Sequence, residues 1–426
     1  LNCLAPVPAG RYVGRVKAWL WIAWALLLAV VPATAEVRLG CDVLAAGGFK
    51  ELRGKRVALI TNQTGVNREG RRTVDVLRAA KDVKLVALMA PEHGLDGKTP
   101  AGKEFPNSRD PRTGLPVYSL YGPGPTRHPT RAMLKGLDAV VYDVQDIGCR
   151  SYTFISTMGQ AMDACGAASV EFVVLDRPNP LGGLRVEGPM LERPFRSFVS
   201  RWNVPYVYGL TCGELARMIN GERWITNRCR LTVVPMQGWR RTMTWRDTGL
   251  PWVPTSPNVP LAESPLFLVA TGLLGEIGTV STGLGSAFPF QCVAAPWLDA
   301  AKTCERLNRY RLPGVRFTPV SFTPDRGAFR GQRVSGARIR FYEPARAPLV
   351  ALNFYALEVA RQLGRRDLFA EAVKQGHSFT MFDKVCGTDT VRQALAAGRP
   401  ASSIVAAWRS GEETFRQRRA KYLLYP

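Results

Sequence analysis

The sequence predicts an α/β protein: a Rossmann-like parallel sheet domain followed by a smaller mixed α+β domain. Two observations carry this. Strand-length, continuously apolar runs alternate with helical patterns through the first half, as expected of a parallel sheet covered on both faces. Each run also ends in a polar loop containing Gly or Pro, and the ligand crevice of an open parallel sheet lies at those carboxyl ends.

The runs are RVALI (56–60), LVALM (85–89), AVVY (139–142) and FVVL (172–175). Helical patterns fall at 73–80, 130–136 and 152–165. The loops that end the runs read TNQTG, PEHG, DVQDIG and DRPNP. Thr211-Cys212-Gly213-Glu214 reads as a capping box opening a helix through Asn220, so Glu214 is a cap rather than a catalyst. Beyond it, residues 239–265 are rich in Pro and Trp and predict a long ordered loop. Gly-rich turns follow at 275–285, then a strand at 334–341 and helices at 348–363 and 401–422. The expected organisation is 1–35 a leader, 36–221 the Rossmann-like domain, and 222–426 an α+β domain completing a cleft.

The leader reading rests on Arg11, Arg15 and Lys17 before a 14-residue uncharged run (18–31), then Pro32 and Ala33-Thr34-Ala35. A positive start, a short apolar stretch and a small-x-small end describe a secretory signal peptide. The run is shorter than the roughly 20 residues of a membrane span. A periplasmic or secreted protein is expected, without stable membrane insertion after cleavage.

Lys and Arg number 57 against 34 Asp and Glu, a net charge of +23, and removing the three leader charges leaves +20. Such a field favours anionic partners. For an exported chain the available polyanion is the wall polymer, with its lactyl and peptide carboxylates, rather than nucleic acid. An Arg-rich composition without functional meaning gives the same balance. Nine cysteines form no C-x-x-C pair, and three histidines show no ligand spacing, so no metal is expected. The first loop carries one Gly where a dinucleotide fold needs G-x-G-x-x-G, so NAD and other cofactors are not expected. Oligomeric state is not legible.

The chemistry-bearing candidates sit on the strand ends. Glu92 lies between Pro91 and His93 in a stiff loop above an apolar sheet, a setting that suits a general acid; a hydrogen-bonded surface Glu is the alternative. Asp143, Gln145 and Asp146 precede Arg150 and Tyr152. They read either as an ion-paired capping turn or as a set that bonds sugar hydroxyls, with the Arg pairing a substrate carboxylate. Arg177 and Asn179 stand in a stiff Pro-flanked turn, and Glu276 lies between two glycines of the second domain. Trp239, Trp245, Trp252 and Trp297 suit stacking on sugar faces, though core packing is the commoner use.

Eleven motifs in order carry a resemblance: TNQTG, PEHG, TGLPVYSLYG, VYDVQDIG-x-R-x-YT, LDRPNPLGG, VEGP, GELA, SPN-x-P, APW-x-D, FDK-x-x-GTD and R-x-x-YLLY. Over about residues 38–426 the chain resembles the bacterial exo-β-N-acetylmuramidases. The resemblance implies a glycosidase that removes N-acetylmuramic acid from the non-reducing end of peptidoglycan fragments. It places the catalytic acid at Glu92, oriented by His93. Substrate contacts are implied at Asn62, Asp143, Gln145, Asp146, Arg150, Tyr152, Arg177 and Asn179, with Glu276 kept in the second domain. Asp143 or Asp146 would orient the acetamido group in a substrate-assisted route; retaining and inverting routes stay open. The chain departs from the family pattern at Thr282 and Leu284, which replace a Glu and an Arg, and at Tyr208, which replaces a His. These departures bear on the sugar or linkage, leaving a muropeptide-binding protein or a hydrolase of another amino sugar as rival readings.

Overall fold

Alternate residues of the first four apolar strands point into two separate cores, so the sheet is buried on both faces. The computed structural model describes Ala5, residues 36–122 and residues 127–426; the expected leader lies outside them. Strands β1 (Arg56–Thr61), β2 (Lys84–Ala90), β5 (Ala139–Asp143) and β6 (Glu171–Leu175) confirm the four predicted runs to within a residue or two. Val57, Leu59, Leu88, Val141 and Val173 pack under the helices Gly40–Ala46 and Thr73–Ala79. Ala58, Ile60, Met89, Val140, Tyr142 and Phe172 pack under Phe154–Ala167 and Cys212–Gly221. A strand whose two side-chain rows are both apolar reads as a continuous run because the period of two has no polar face to reveal.

Three more strands complete a seven-stranded sheet: β3 (Ser108–Arg109), β4 (Pro116–Ser119) and β9 (Leu231–Val234), in the order β3-β4-β2-β1-β5-β6-β9. All neighbours run parallel except the two-residue edge strand β3. The last strand lies beyond residue 221, where the sequence reading ended the first domain, because the sheet closes only after the capped helix has crossed back. The chain winds outward from β1 through β2 to β4, then returns to β5 on the other side of β1. The switch point of this topology therefore lies between β1 and β5.

A short antiparallel pair, β7 (Glu187–Met190) and β8 (Pro205–Val207), follows β6 in the chain. The second half holds the antiparallel sheet β10 (Cys292–Ala295), β12 (Val334–Phe341) and β11 (Val315–Phe322), with its own core around the helices Ser264–Gly275 and Leu349–Gly364. The helix expected over 401–422 is broken into Ala401–Ala406, Arg409–Arg419 and a final turn. The capping box is present: Thr211 Oγ1 accepts from the Glu214 N–H, and the Thr211 N–H donates to Glu214 Oε2. Residues 239–263 are irregular apart from one turn of 3-10 helix, Trp245–Thr248, and the expected loop ends where the helix Ser264–Gly275 begins. Trp239 and Trp245 are buried there with Leu39 and Tyr425, and Trp297 carries the Arg366 guanidinium over its ring. The tryptophans thus serve packing. All eight described cysteines are buried and unpaired.

Candidate active site

The switch point is built from close backbone contacts. Thr61 pairs with Asp143 in register, and Thr61 Oγ1 donates to the Asp143 carbonyl. A Cβ on Gly65 would lie 1.9 Å from Thr61 Oγ1, so the TNQTG turn admits only glycine there. Asn62 Oδ1 accepts from both the N–H and the hydroxyl of Thr64, and Thr64 Oγ1 in turn accepts from the Gln145 N–H. The loops after β1 and β5 are thereby locked together.

Glu92 stands on the adjacent loop, after β2, and is 7% exposed. Its Oε1 accepts from the Gly102 N–H at 2.7 Å and its Oε2 from the Thr153 hydroxyl. Thr153 lies 61 residues away in sequence, at the mouth of helix Phe154–Ala167. The Tyr121 phenol is pushed up by burial and then by the Glu92 charge beside it. Tyr152 stands near both Glu92 and Asp146: burial raises its phenol first, and both carboxylates add to the rise. Its hydroxyl donates to Thr255 Oγ1 at 2.8 Å. Gln63 Nε2 donates to the Pro254 carbonyl at 2.7 Å, so the 254–255 stretch of the Trp-rich loop is tied to the rim from two sides.

His93 takes a left-handed backbone, φ 73°, uncommon outside glycine. Its Nδ1 lies 2.7 Å from the Thr99 carbonyl and its ring meets Phe154 edge-on. A carbonyl can only accept, so Nδ1 carries the proton. His93 fastens the loop that holds Glu92 and has no bond to Glu92 itself.

Several expected contacts are structural instead. Asp143 is fully buried, and both its oxygens are spent, on Arg177 and on Thr73. Arg177 divides its donors between Asp143 and the Val66 carbonyl. Arg150 is fully buried: Nη1 and Nη2 bond the carbonyls of Pro189, Val204, Val385 and Cys386, and Nε bonds Ser200. A guanidinium has five N–H donors, so none remains for a substrate carboxylate. Asn179 donates to the Leu210 carbonyl and accepts from the Leu181 N–H, closing its own turn.

Asp146 differs. Its Oδ2 accepts from Gly148 N–H and the Tyr208 hydroxyl, while Oδ1 has no partner within the protein. Burial pushes its carboxyl up to about 6. Gln145 Oε1 and Asn62 Nδ2 are likewise buried without a partner. Gln145 and Asp146 line a small cavity with Asn179 and Leu210 that has room for about a single water, and Gln145 also borders a neighbouring cavity with Thr64, Asn67 and Arg177. Tyr208, at the position of the family's His, makes the bond that holds Asp146.

Glu276 caps the C-terminus of helix Ser264–Gly275 and is solvent-accessible. Although its tip meets water, the protein crowded around the carboxyl pushes its pKa up. Thr282 is buried and Leu284 half-buried. Among the described residues no group of three or more His, Cys, Asp or Glu side chains is placed to hold a metal ion. Sequence reasoning missed Thr73, Gly102, Tyr121, Thr153 and Thr255. Two of them had a signal: Thr153 ends the VYDVQDIG-x-R-x-YT motif and Tyr121 falls in TGLPVYSLYG.

A mostly parallel sheet with the buried Glu92 carboxyl beside its switch point and no glycine-rich nucleotide loop is the frame of an α/β enzyme. The comparisons agree. Residues 57–263 match the exo-beta-N-acetylmuramidase NamZ N-terminal domain, and residues 266–425 match the C-terminal domain of the same family. The chain is 39% identical over 390 residues to the peptidoglycan beta-N-acetylmuramidase NamZ of Bacillus subtilis (strain 168), covering 92% of each chain. Two solved DUF1343 family proteins from Bacteroides fragilis NCTC 9343 share the fold. One has a TM-score of 0.85 at 43% identity and the other 0.73 at 29%, each covering 92% of this chain and 99% of that one. The chain belongs to the exo-β-N-acetylmuramidase family and is a glycosidase.

Proposed function

We propose that this glycosidase is exported and removes N-acetylmuramic acid from the non-reducing end of peptidoglycan fragments, with Glu92 protonating the glycosidic oxygen. The observation that carries the reading is the buried Glu92 carboxyl, fixed by two donors on the rim beside the sheet's switch point. A proton donor held in one orientation contributes typically 10²–10⁴-fold to rate. The name of the B. subtilis relative supports the substrate class. The net charge of +23 suits glycans that carry lactyl carboxylates. The second half of the chain, which brings Glu276, walls the cleft, and the basic, then apolar N-terminus directs the chain to the periplasm or beyond.

Incubating the protein with a disaccharide whose non-reducing sugar is N-acetylmuramic acid should release that monosaccharide. The same disaccharide capped by N-acetylglucosamine should stay intact. Release from the second substrate instead, or binding of the first with no sugar released, contradicts the proposal. N-terminal sequencing of the exported protein should begin at Glu36.

A further inference from the structure

Sequences that serve stability place Lys or Arg at the C-terminus of a helix, where the macrodipole is negative. The helix Ser264–Gly275 instead ends in Glu276. No cation and no hydrogen-bond donor among the described residues meets this carboxylate, so it is placed against the local electrostatics with nothing to compensate it. Conflicts of that kind mark functional positions. Its surroundings point to the site already described. A Cβ on Gly272, one turn before Glu276 on the same helix, would lie 3.5 Å from Tyr206 Oη, and Tyr206 Oη lies 3.1 Å from Ser151 Oγ. Ser151 belongs to the turn that ends in Thr153, whose hydroxyl holds Glu92. Glu92 is thus held by this turn from the sheet rim, and the helix that ends in Glu276 approaches the same turn through Tyr206.

We propose that Glu276 is the second catalytic carboxylate, the base that takes a proton from the attacking water on the sugar face opposite Glu92. This rests on the glycosidase reading above and deepens it. The water oxygen bonds to the anomeric carbon while the bond to the leaving oxygen breaks. Glu276 receives the water's proton, Glu92 gives its own to the leaving group, and exchange with solvent restores both. The carboxylate suits this step because its oxygens are free and open to water, and crowding brings its pKa closer to neutral, where a base works best. A single displacement inverts the anomeric configuration, and its two carboxyl groups stand about 6.5–9.5 Å apart to admit the water.

The test compares Glu276→Gln and Glu92→Gln on two substrates, the N-acetylmuramyl disaccharide and the 4-nitrophenyl β-glycoside of the same sugar. A base is needed whatever the leaving group, so Glu276→Gln should lower kcat about 10²–10⁴-fold on both. Nitrophenolate leaves without a proton, so Glu92→Gln should fail on the disaccharide and retain most activity on the aryl glycoside. Azide should restore turnover to Glu276→Ala, giving the α-glycosyl azide, and NMR should show the wild-type product released as the α-anomer. Wild-type activity with Glu276→Gln within about threefold of it, or a β-configured first product, overturns the role of Glu276 alone. Wild-type protein that cleaves neither substrate removes the glycosidase reading and this role with it. Melting curves on both variants separate lost chemistry from lost fold.

Discussion

Asp143 sits at the end of a central strand in the most functional-looking stretch of the chain, yet its geometry assigns it to stability. It is 0% exposed, and Arg177, paired with it, is 3% exposed. The pair is bidentate, with Nη2 to Oδ2 at 2.9 Å, and the Thr73 hydroxyl adds a second bond to Oδ2. Asp143→Ala would leave a guanidinium buried without its counter-charge. Breaking a buried pair from one side costs about 3–5 kcal/mol. With an unfolding entropy of about 2.1 cal/mol/K per residue, a folded unit of roughly 390 residues loses about 4–6 °C in Tm for that penalty. Removing both partners as Asp143→Ala with Arg177→Met should recover much of the loss, because the stranded charge goes too. Differential scanning calorimetry on the four proteins of the cycle gives the stabilities. Steady-state kinetics at 25 °C should find kcat lowered by no more than about tenfold in Asp143→Ala. An unchanged Tm together with a kcat loss of about 10³-fold or more would place Asp143 in the chemistry and refute the assignment.

Asp146→Asn should keep both bonds to Oδ2 while removing a buried charge. Burial raises the folded-state pKa to about 6, above the 3.8 of a free aspartate side chain. Protonation of this group therefore favours the folded state: its contribution is full below about pH 4 and is lost as pH rises through 6, a change of about 3 kcal/mol. The variant should match wild type near pH 4 and melt higher at pH 8; equal melting at both values contradicts the burial argument. Arg150→Met strands four carbonyls that join β7, the residue just before β8 and the helix Thr380–Cys386, so a fall in Tm of several degrees is expected, with KM for the sugar unchanged in the folded fraction. A raised KM at unchanged Tm would return Arg150 to the substrate. Tyr152→Phe loses the bond to Thr255 that tethers the 254–256 segment, which costs about 0.5–1.5 kcal/mol by calorimetry.

The sheet was legible where burial on both faces made β1, β2, β5 and β6 continuous apolar runs, and the capped helix was legible because Thr211 and Glu214 write their geometry in a four-residue spacing. Strand β7 reads Glu-Gly-Pro-Met and β3 is two residues long; neither has a period to detect. β9 was missed because its half-exposed residues follow a polar loop. The rim was legible as a set of polar strand ends. Which of those groups face the cleft was not, because hydrogen bonds from distant elements decide it. Thr73 meets Asp143 from 70 residues away, and Cys386 meets Arg150 from 236 away. Charged residues in a motif look alike whether they bind substrate or carbonyls. Glu92 and Glu276 are separated from the others by what surrounds them, an oriented pair of donors in one case and none in the other.

The account turns on Glu92, and its most direct test is the rate of N-acetylmuramic acid release from the disaccharide by Glu92→Gln against wild type, in variants shown by melting to be folded. Glutamine keeps the shape and can still accept a bond, but has no acidic proton to give, so release should fall about 10²–10⁴-fold. Release at the wild-type rate would mean that the leaving oxygen gets its proton elsewhere, and that the rim of this sheet is not where the reaction takes place.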